Sequence, residues 1–194
     1  RYVRGLLDAG AAPGESPFDH HIYVIAGDGC LEEGISSEAS SLAGTQKLGN
    51  LVVLYDDNHI SIEGKTDVAF TEDVLKRYEA YGWQTLHTDL LPNGSIDLDA
   101  VNTALAEAKA DIHRPTIIRM RSIIGWPAPK LQNTGKAHGA DLGAEEVGAV
   151  KEILGFDPNK SFEVSDEVLA HAREVVGRGK EAHEQWDLKY QQWR

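Results

Sequence analysis

The sequence predicts an α/β protein with a doubly wound, mostly parallel sheet and helices on both faces. Three observations point there. Two short β-branched apolar runs, "HIYVIAG" (21–27) and "NLVVLYD" (50–56), are each long enough for a strand buried on both faces. The stretch between them carries apolar residues at three-to-four-residue spacing, and the pattern then repeats downstream. Strands alternating with helices of this length imply parallel pairing through right-handed crossovers.

The elements follow in order. Residues 1–20 hold Pro13, Gly14, Ser16 and Pro17, a composition that breaks regular structure, so a short helix and a loop are expected. The runs at 21–27 and 50–56 read as inner strands. "GISSEASSLAGTQKLG" places Ile35, Ala39, Leu42, Ala43 and Gln46 on one face of a crossover helix ending at Gly49. Thr71 is the expected N-cap of "TEDVLKRYEAYG", which Gly82 closes, and "WQTLHTD" is the next strand. "IDLDAVNTALAEAKAD" aligns Leu98, Val101, Leu105 and Ala108, and "PTIIRMRSII" (115–124) is a fourth strand opened by Pro115. Residues 125–142 lack periodicity and form a long loop of the kind that is often functional. "GAEEVGAVKEILG" reads as a helix, and another runs from about Ser165 to the end with Val168, Ala172, Val175, Ala182, Trp186, Tyr190 and Trp193 in a stripe. Its densely charged other faces suit a helix packed along the outside of a body or against a missing one.

Bulk composition narrows the function. The 194 residues suffice for one good core. A formal charge of −12 opposes binding to nucleic acid and adsorption to anionic lipid. No apolar stretch approaches the ~20 residues that span a bilayer, and no charged-then-apolar leader is expected from the first residues of the sequence. Cys30 is the only cysteine, so no intrachain disulfide or multi-thiolate metal site exists; a structural thiol in a reducing cytoplasm is expected. Because the sequence opens on Arg1, a piece of a longer gene product is expected.

In open parallel sheets ligands bind where the carboxyl ends of strands meet the following helices, here the loops at 26–34 and 56–64. In "AGDGCLEEG", Gly27 and Gly29 let backbone amides approach a bulky anion. Asp28 does not suit a bare phosphate site, but it makes sense if a hard cation bridges it to phosphate, as magnesium does. A second ligand should come from a neighbouring strand end, and Asn58 of "YDDNHISIEG" stands thirty residues on. Its amide oxygen adds coordination without charge, and the Ile60 carbonyl could complete the protein's share. Asp56 and Asp57 compete for the role on charge grounds. Glu32 reads as a solvated acid at a helix start.

"GDGCLEEG", the asparagine of "YDDNHISIEG" and the intervening "SEASSLAGTQKLGNLVVLYD" resemble the diphosphate-binding domain of transketolases, which use thiamine diphosphate. "EAYGW", "IIGWPAP" and "HGADLG" extend the resemblance through almost the whole chain. The GDG-to-asparagine motif alone is shared with 2-oxo-acid decarboxylases and dehydrogenases; the flanking text narrows it to transketolase. The resemblance implies the thiamine-diphosphate-binding fold, with Asp28, Asn58 and Ile60 on Mg2+ (or Ca2+) and Gly27 and Gly29 accepting the diphosphate. It implies that Glu33 sits near the cofactor at a homodimer interface, sharing a proton with a carboxylate of the other subunit. It also implies that His138 of "KAHG" lies over the cofactor and substrate channel, although Gly135 stands where many members carry a further histidine.

By the same resemblance the parent is a cytoplasmic enzyme of the pentose phosphate pathway. It would move a two-carbon ketol unit from a ketose phosphate to an aldose phosphate. Residues 1–155 would be a diphosphate domain lacking its N-terminal part, and 156–194 a helical extension toward a missing second domain. The glutamate that activates the cofactor and the groups that grip the sugar phosphate would lie outside this sequence, so the chain alone is expected to be inactive. Two alternatives stand beside this reading: the decarboxylating subunit of a 2-oxo-acid dehydrogenase, and a noncatalytic cofactor-binding or assembly module.

Overall fold

The structure, a computed structural model, describes residues 2–62 and 64–194. The chain divides into two compact units, one of residues 21–158 and one that joins the segment up to residue 20 with 159–194.

The larger unit holds a four-stranded, all-parallel sheet of β1 (Ile22–Gly27), β2 (Leu51–Asp57), β3 (Gln84–Thr88) and β4 (Thr116–Arg121), in the order β1-β2-β4-β3. The helices of this unit are α2 (Asp28–Glu32), α3 (Gly34–Thr45), α4 (Val74–Ala80), α5 (Leu98–Ala110) and α6 (Ala144–Ile153), numbered after a short α1 (Tyr2–Leu7) in the other unit. Alternate strand residues face opposite sides. Val53, Tyr55 and Ile117 form one core with Leu31, Ala43, Val74, Tyr78 and Trp83. Val52 and Ile118 form the other with Ala104 and Ala108 of α5. Helices therefore cover both faces, as the sequence predicts.

Three local expectations change. The strand at 21–27 is not an inner strand but an edge of the sheet, with Ile22, Tyr23, Val24 and Ile25 between 40% and 77% exposed. Its hydropathy signals burial, yet of its apolar residues only Ala26 at the far end is buried, in the core cluster with Leu31. The cap of α4 is Asp73, whose carboxylate accepts from the Lys76 amide at 3.2 Å, and not Thr71; the acid stands at the right distance from the third helical amide. Crossover helix α3 stops at Thr45, and Lys47, at φ +50°, turns the chain there instead of Gly49. Gly49 serves close approach: a Cβ would lie 2.1 Å from the Ile112 carbonyl oxygen.

The buried face of α3 also differs. Ser40, Ala43 and Gly44 are inside, while Ile35 and Leu42 are 69% and 60% exposed. Small residues let the helix approach the Trp83 indole, whose Nε1 donates to the Ser40 carbonyl at 2.8 Å. A Cβ at Gly44 would lie 1.8 Å from the Tyr81 carbonyl oxygen. In α5, likewise, Ala104 and Ala108 are buried and Leu98 is exposed. Gly82 closes α4 as expected, at φ +85°. Its N–H donates to Glu79 and that of Trp83 to Tyr78, the paired bonds of a Schellman motif.

In the smaller unit α7 (Asp166–Trp193) starts at Ser165, whose hydroxyl accepts from the Val168 amide. Its aromatic end binds the other end of the chain: Trp186 Nε1 donates to the Pro17 carbonyl at 2.8 Å and Trp193 Nε1 to that of Leu7 at 3.0 Å. Phe18 meets the Trp193 ring edge-on, with centroids 5.0 Å apart. No helix among the described residues is long and apolar enough to cross a membrane.

Candidate functional site

The site lies at the carboxyl ends of β1 and β2. Strand β1 runs out at Gly27, and Asp28 opens the five-residue helix α2 with only 2% of its surface exposed. A lone buried carboxylate is costly unless hydrogen bonds satisfy it. Asp28 has three. The Tyr55 hydroxyl donates to Oδ1 at 2.6 Å, and the amides of Asn58 and His59 donate to Oδ2 at 3.3 and 2.9 Å. His59 adopts φ +60°, a left-handed turn that accompanies the two successive amides on one oxygen.

Asn58 is 8% exposed and its side chain is fixed at both ends. Nδ2 donates to Asp56 at 3.2 Å and Oδ1 accepts from the Ile60 amide at 2.9 Å. Since a carboxylate can only accept, the bond to Asp56 sets which way the amide points. Asp56 also receives the Ser122 hydroxyl. Asp57 has partners of its own: His59 Nε2 at 2.8 Å, Arg121 Nη1 at 3.5 Å and Arg119 Nε at 3.7 Å. Both acids that compete with Asn58 on charge are thus engaged inside the chain.

Asp28 and Ile60 line one cleft with Tyr55, Asp57 and Arg119, and the long loop after β4 reaches it at Asn133. Burial, then the hydrogen bond to Asp28, then the charges of Asp28 and Asp57 push the Tyr55 phenol far above its usual range. It stays protonated and acts as a donor.

The remaining predicted residues lie elsewhere. Glu33 is exposed at the break between α2 and α3, where its carbonyl accepts from Ser36. His138 is exposed at the end of a 3-10 turn, Gly135–Ala137, outside that cleft's lining. Cys30, expected to be structural, is exposed as well. Gly27 has nothing of the chain within 4 Å of where a Cβ would stand, and Gly29 only Ser61 Oγ at 3.8 Å. Among the described residues no three His, Cys, Asp or Glu side chains form a cage for an ion; of the three expected ligands, Asp28 and Ile60 line the cleft and Asn58 is not among its lining residues.

Sequence reasoning missed Tyr55, Arg119, Arg121 and Ser122. All four belong to strands or their immediate continuation, where alternation reads as core. Two arginines in "IIRMRS" were the available signal, since a buried sheet rarely carries them without an acid.

A family model described as "Transketolase, thiamine diphosphate binding domain" matches residues 1–194. The chain is 55% identical over 193 residues to a transketolase of Mycobacterium leprae, covering 100% of this chain and 27% of that protein. It is 46% identical over 182 residues to transketolase 1 of Saccharomyces cerevisiae, covering 93% and 26%. Among solved structures, transketolase from Leishmania mexicana superposes with a TM-score of 0.86 at 38% identity, over 97% of this chain and 28% of that one. Transketolase from Pichia stipitis in complex with sedoheptulose-7-phosphate gives 0.83 at 43%, over 90% and 25%. The chain thus spans about a quarter of the length of these relatives, and it belongs to the transketolase thiamine diphosphate binding domain family.

Proposed function

We propose that this chain carries the diphosphate-binding half of a transketolase active site, with Asp28, Asn58 and the Ile60 carbonyl as ligands of Mg2+ or Ca2+. The observation that carries the reading is the buried Asp28 carboxylate bound by the Asn58 and His59 amides, which joins two strand ends thirty residues apart in sequence. The donors fit a hard cation: oxygens only, with a single carboxylate. Gly27 and Gly29 fit a ligand's close approach, because the chain's own packing does not require glycine at either position.

When bound, thiamine diphosphate supplies the nucleophilic carbon that takes a two-carbon ketol unit from a ketose phosphate and passes it to an aldose phosphate. This chain's share is anchoring. Asp28 neutralises and orients the ion, Asn58 adds an oxygen without charge, and the amides around Gly27 and Gly29 receive the diphosphate. Glu33 shares a proton with a carboxylate of a second subunit in a homodimer, and His138 belongs to the loop over the cofactor and phosphosugar channel. The parent enzyme serves the pentose phosphate pathway in the cytoplasm. The sedoheptulose-7-phosphate complex of the Pichia stipitis relative supports the substrate class.

Calorimetry of the chain with thiamine diphosphate and Mg2+ tests the reading. Binding by the wild type and none by a folded Asp28→Ala protein is expected; equal binding by both would sink the assignment. The chain alone should not turn over xylulose phosphate and ribose phosphate, and turnover would show that it needs no further domain.

A further inference from the structure

We propose that Tyr55 is a positioning residue that makes Asp28 a one-oxygen metal ligand and so sets the site's preference for Mg2+ over Ca2+; this rests on the reading of Asp28 above. Each carboxylate oxygen has about two acceptor positions. Oδ2 spends both on the amides of Asn58 and His59. Among the described residues Oδ1 accepts only the Tyr55 hydroxyl, which leaves one position, and it is on Oδ1.

Tyr55 has one proton to give. Asp57 Oδ1 stands 3.3 Å from the hydroxyl and Asp28 Oδ1 only 2.6 Å, so the proton goes to Asp28. The ring that presents it is 2% exposed and belongs to the core cluster of the sheet. The carboxylate plane is therefore fixed from both oxygens by rigid groups, and a one-oxygen contact is the geometry left to it. Mg2+ demands a near-ideal octahedron, whereas Ca2+ accepts flexible and two-oxygen carboxylate contacts. Loosening Asp28 should cost Mg2+ more.

The test uses the full-length protein carrying these residues, with thiamine diphosphate binding titrated in Mg2+ and in Ca2+. Tyr55→Phe keeps the buried ring. It should weaken Mg2+-supported binding about tenfold or more, the scale on which outer partners of a metal ligand act, and Ca2+-supported binding less than about threefold. A general structural defect would weaken both ions alike, and an equal loss, or no loss, overturns the proposal. Asp28→Ala separates the levels: if it binds like the wild type, the ligand reading itself fails. Should the Phe protein not fold, infrared difference spectra of the wild type against Asp28→Asn decide. Adding Mg2+ should widen the separation of the two Asp28 carboxylate stretches, as one-oxygen contact does, and narrowing would overturn the proposal.

Discussion

Strands β1 and β2 read almost alike in sequence, yet the structure treats them in opposite ways. They pair in parallel with Tyr23 opposite Val52 and Val24 opposite Val53. Val52 and Val53 are 0% and 7% exposed, whereas Tyr23 and Val24 are 50% and 40% exposed. Strand β2 has a partner on each side and helices over both faces; β1 has β2 on one side only, and Ala26 alone of its residues joins a core cluster. An apolar run therefore tells what a strand is composed to bury, and a structure tells what a given length of chain does bury. The two agree at β2 and part at Ile22–Ile25 of β1.

The contrast can be broken most directly by placing a charge at matched positions. Val52→Asp puts an unpaired carboxylate where nothing is exposed, and should cost more than about 4 kcal/mol, enough to abolish cooperative unfolding in urea. Tyr23→Asp, across the ladder, should cost less than about 1 kcal/mol. Equal losses would mean that β1 is covered in solution.

Glycines sharpen the contrast on a smaller scale. Gly44→Ala drives a Cβ into the Tyr81 carbonyl and should lose about 1–3 kcal/mol. Gly27→Ala at the end of β1 meets nothing and should stay within about 0.5 kcal/mol, while thiamine diphosphate binding weakens. Thermal melts and calorimetry on the same two proteins check both halves.

The smallest effect is acid sensitivity. The Lys76 amide and ammonium hold Asp73 below the usual carboxylate range. Lys130 does the same for Glu145. For Asp111 burial works upward, but Arg114 and the His113 amide outweigh it. A carboxylate lowered on folding binds fewer protons than in the unfolded chain, so its contribution is present above about pH 4 and lost as pH falls through the folded value. All three acids lie in residues 21–158, so Trp83 fluorescence should report a modest, salt-sensitive loss below about pH 4. A melting midpoint independent of pH there would remove these acids from the account.

The fold class was legible because period-2 and period-3.6 signals alternate; Gly82 declares its turn, and the last helix starts near Ser165 as read. Helix faces were harder. In α3 the counted apolar residues stay outside, because the indole of Trp83 fits against Ser40 and Gly44 and not against Leu42. That the carboxyl ends of the strands at 21–27 and 50–56 adjoin was legible too, and there the Asn58 backbone amide reaches Asp28. Tyr55 was not. Its place in an alternating strand declares a core ring, and nothing in the pattern declares that its hydroxyl ends on an acid from β1's far end.

The hydrogen bonds from Trp186 to Pro17 and from Trp193 to Leu7 fasten the two chain ends together. Residues 21–158 are then a closed loop tied off by these contacts. Mechanical load applied between residues 7 and 193 has to peel α7 from the N-terminal segment first, and the sheet bears no tension until that knot opens.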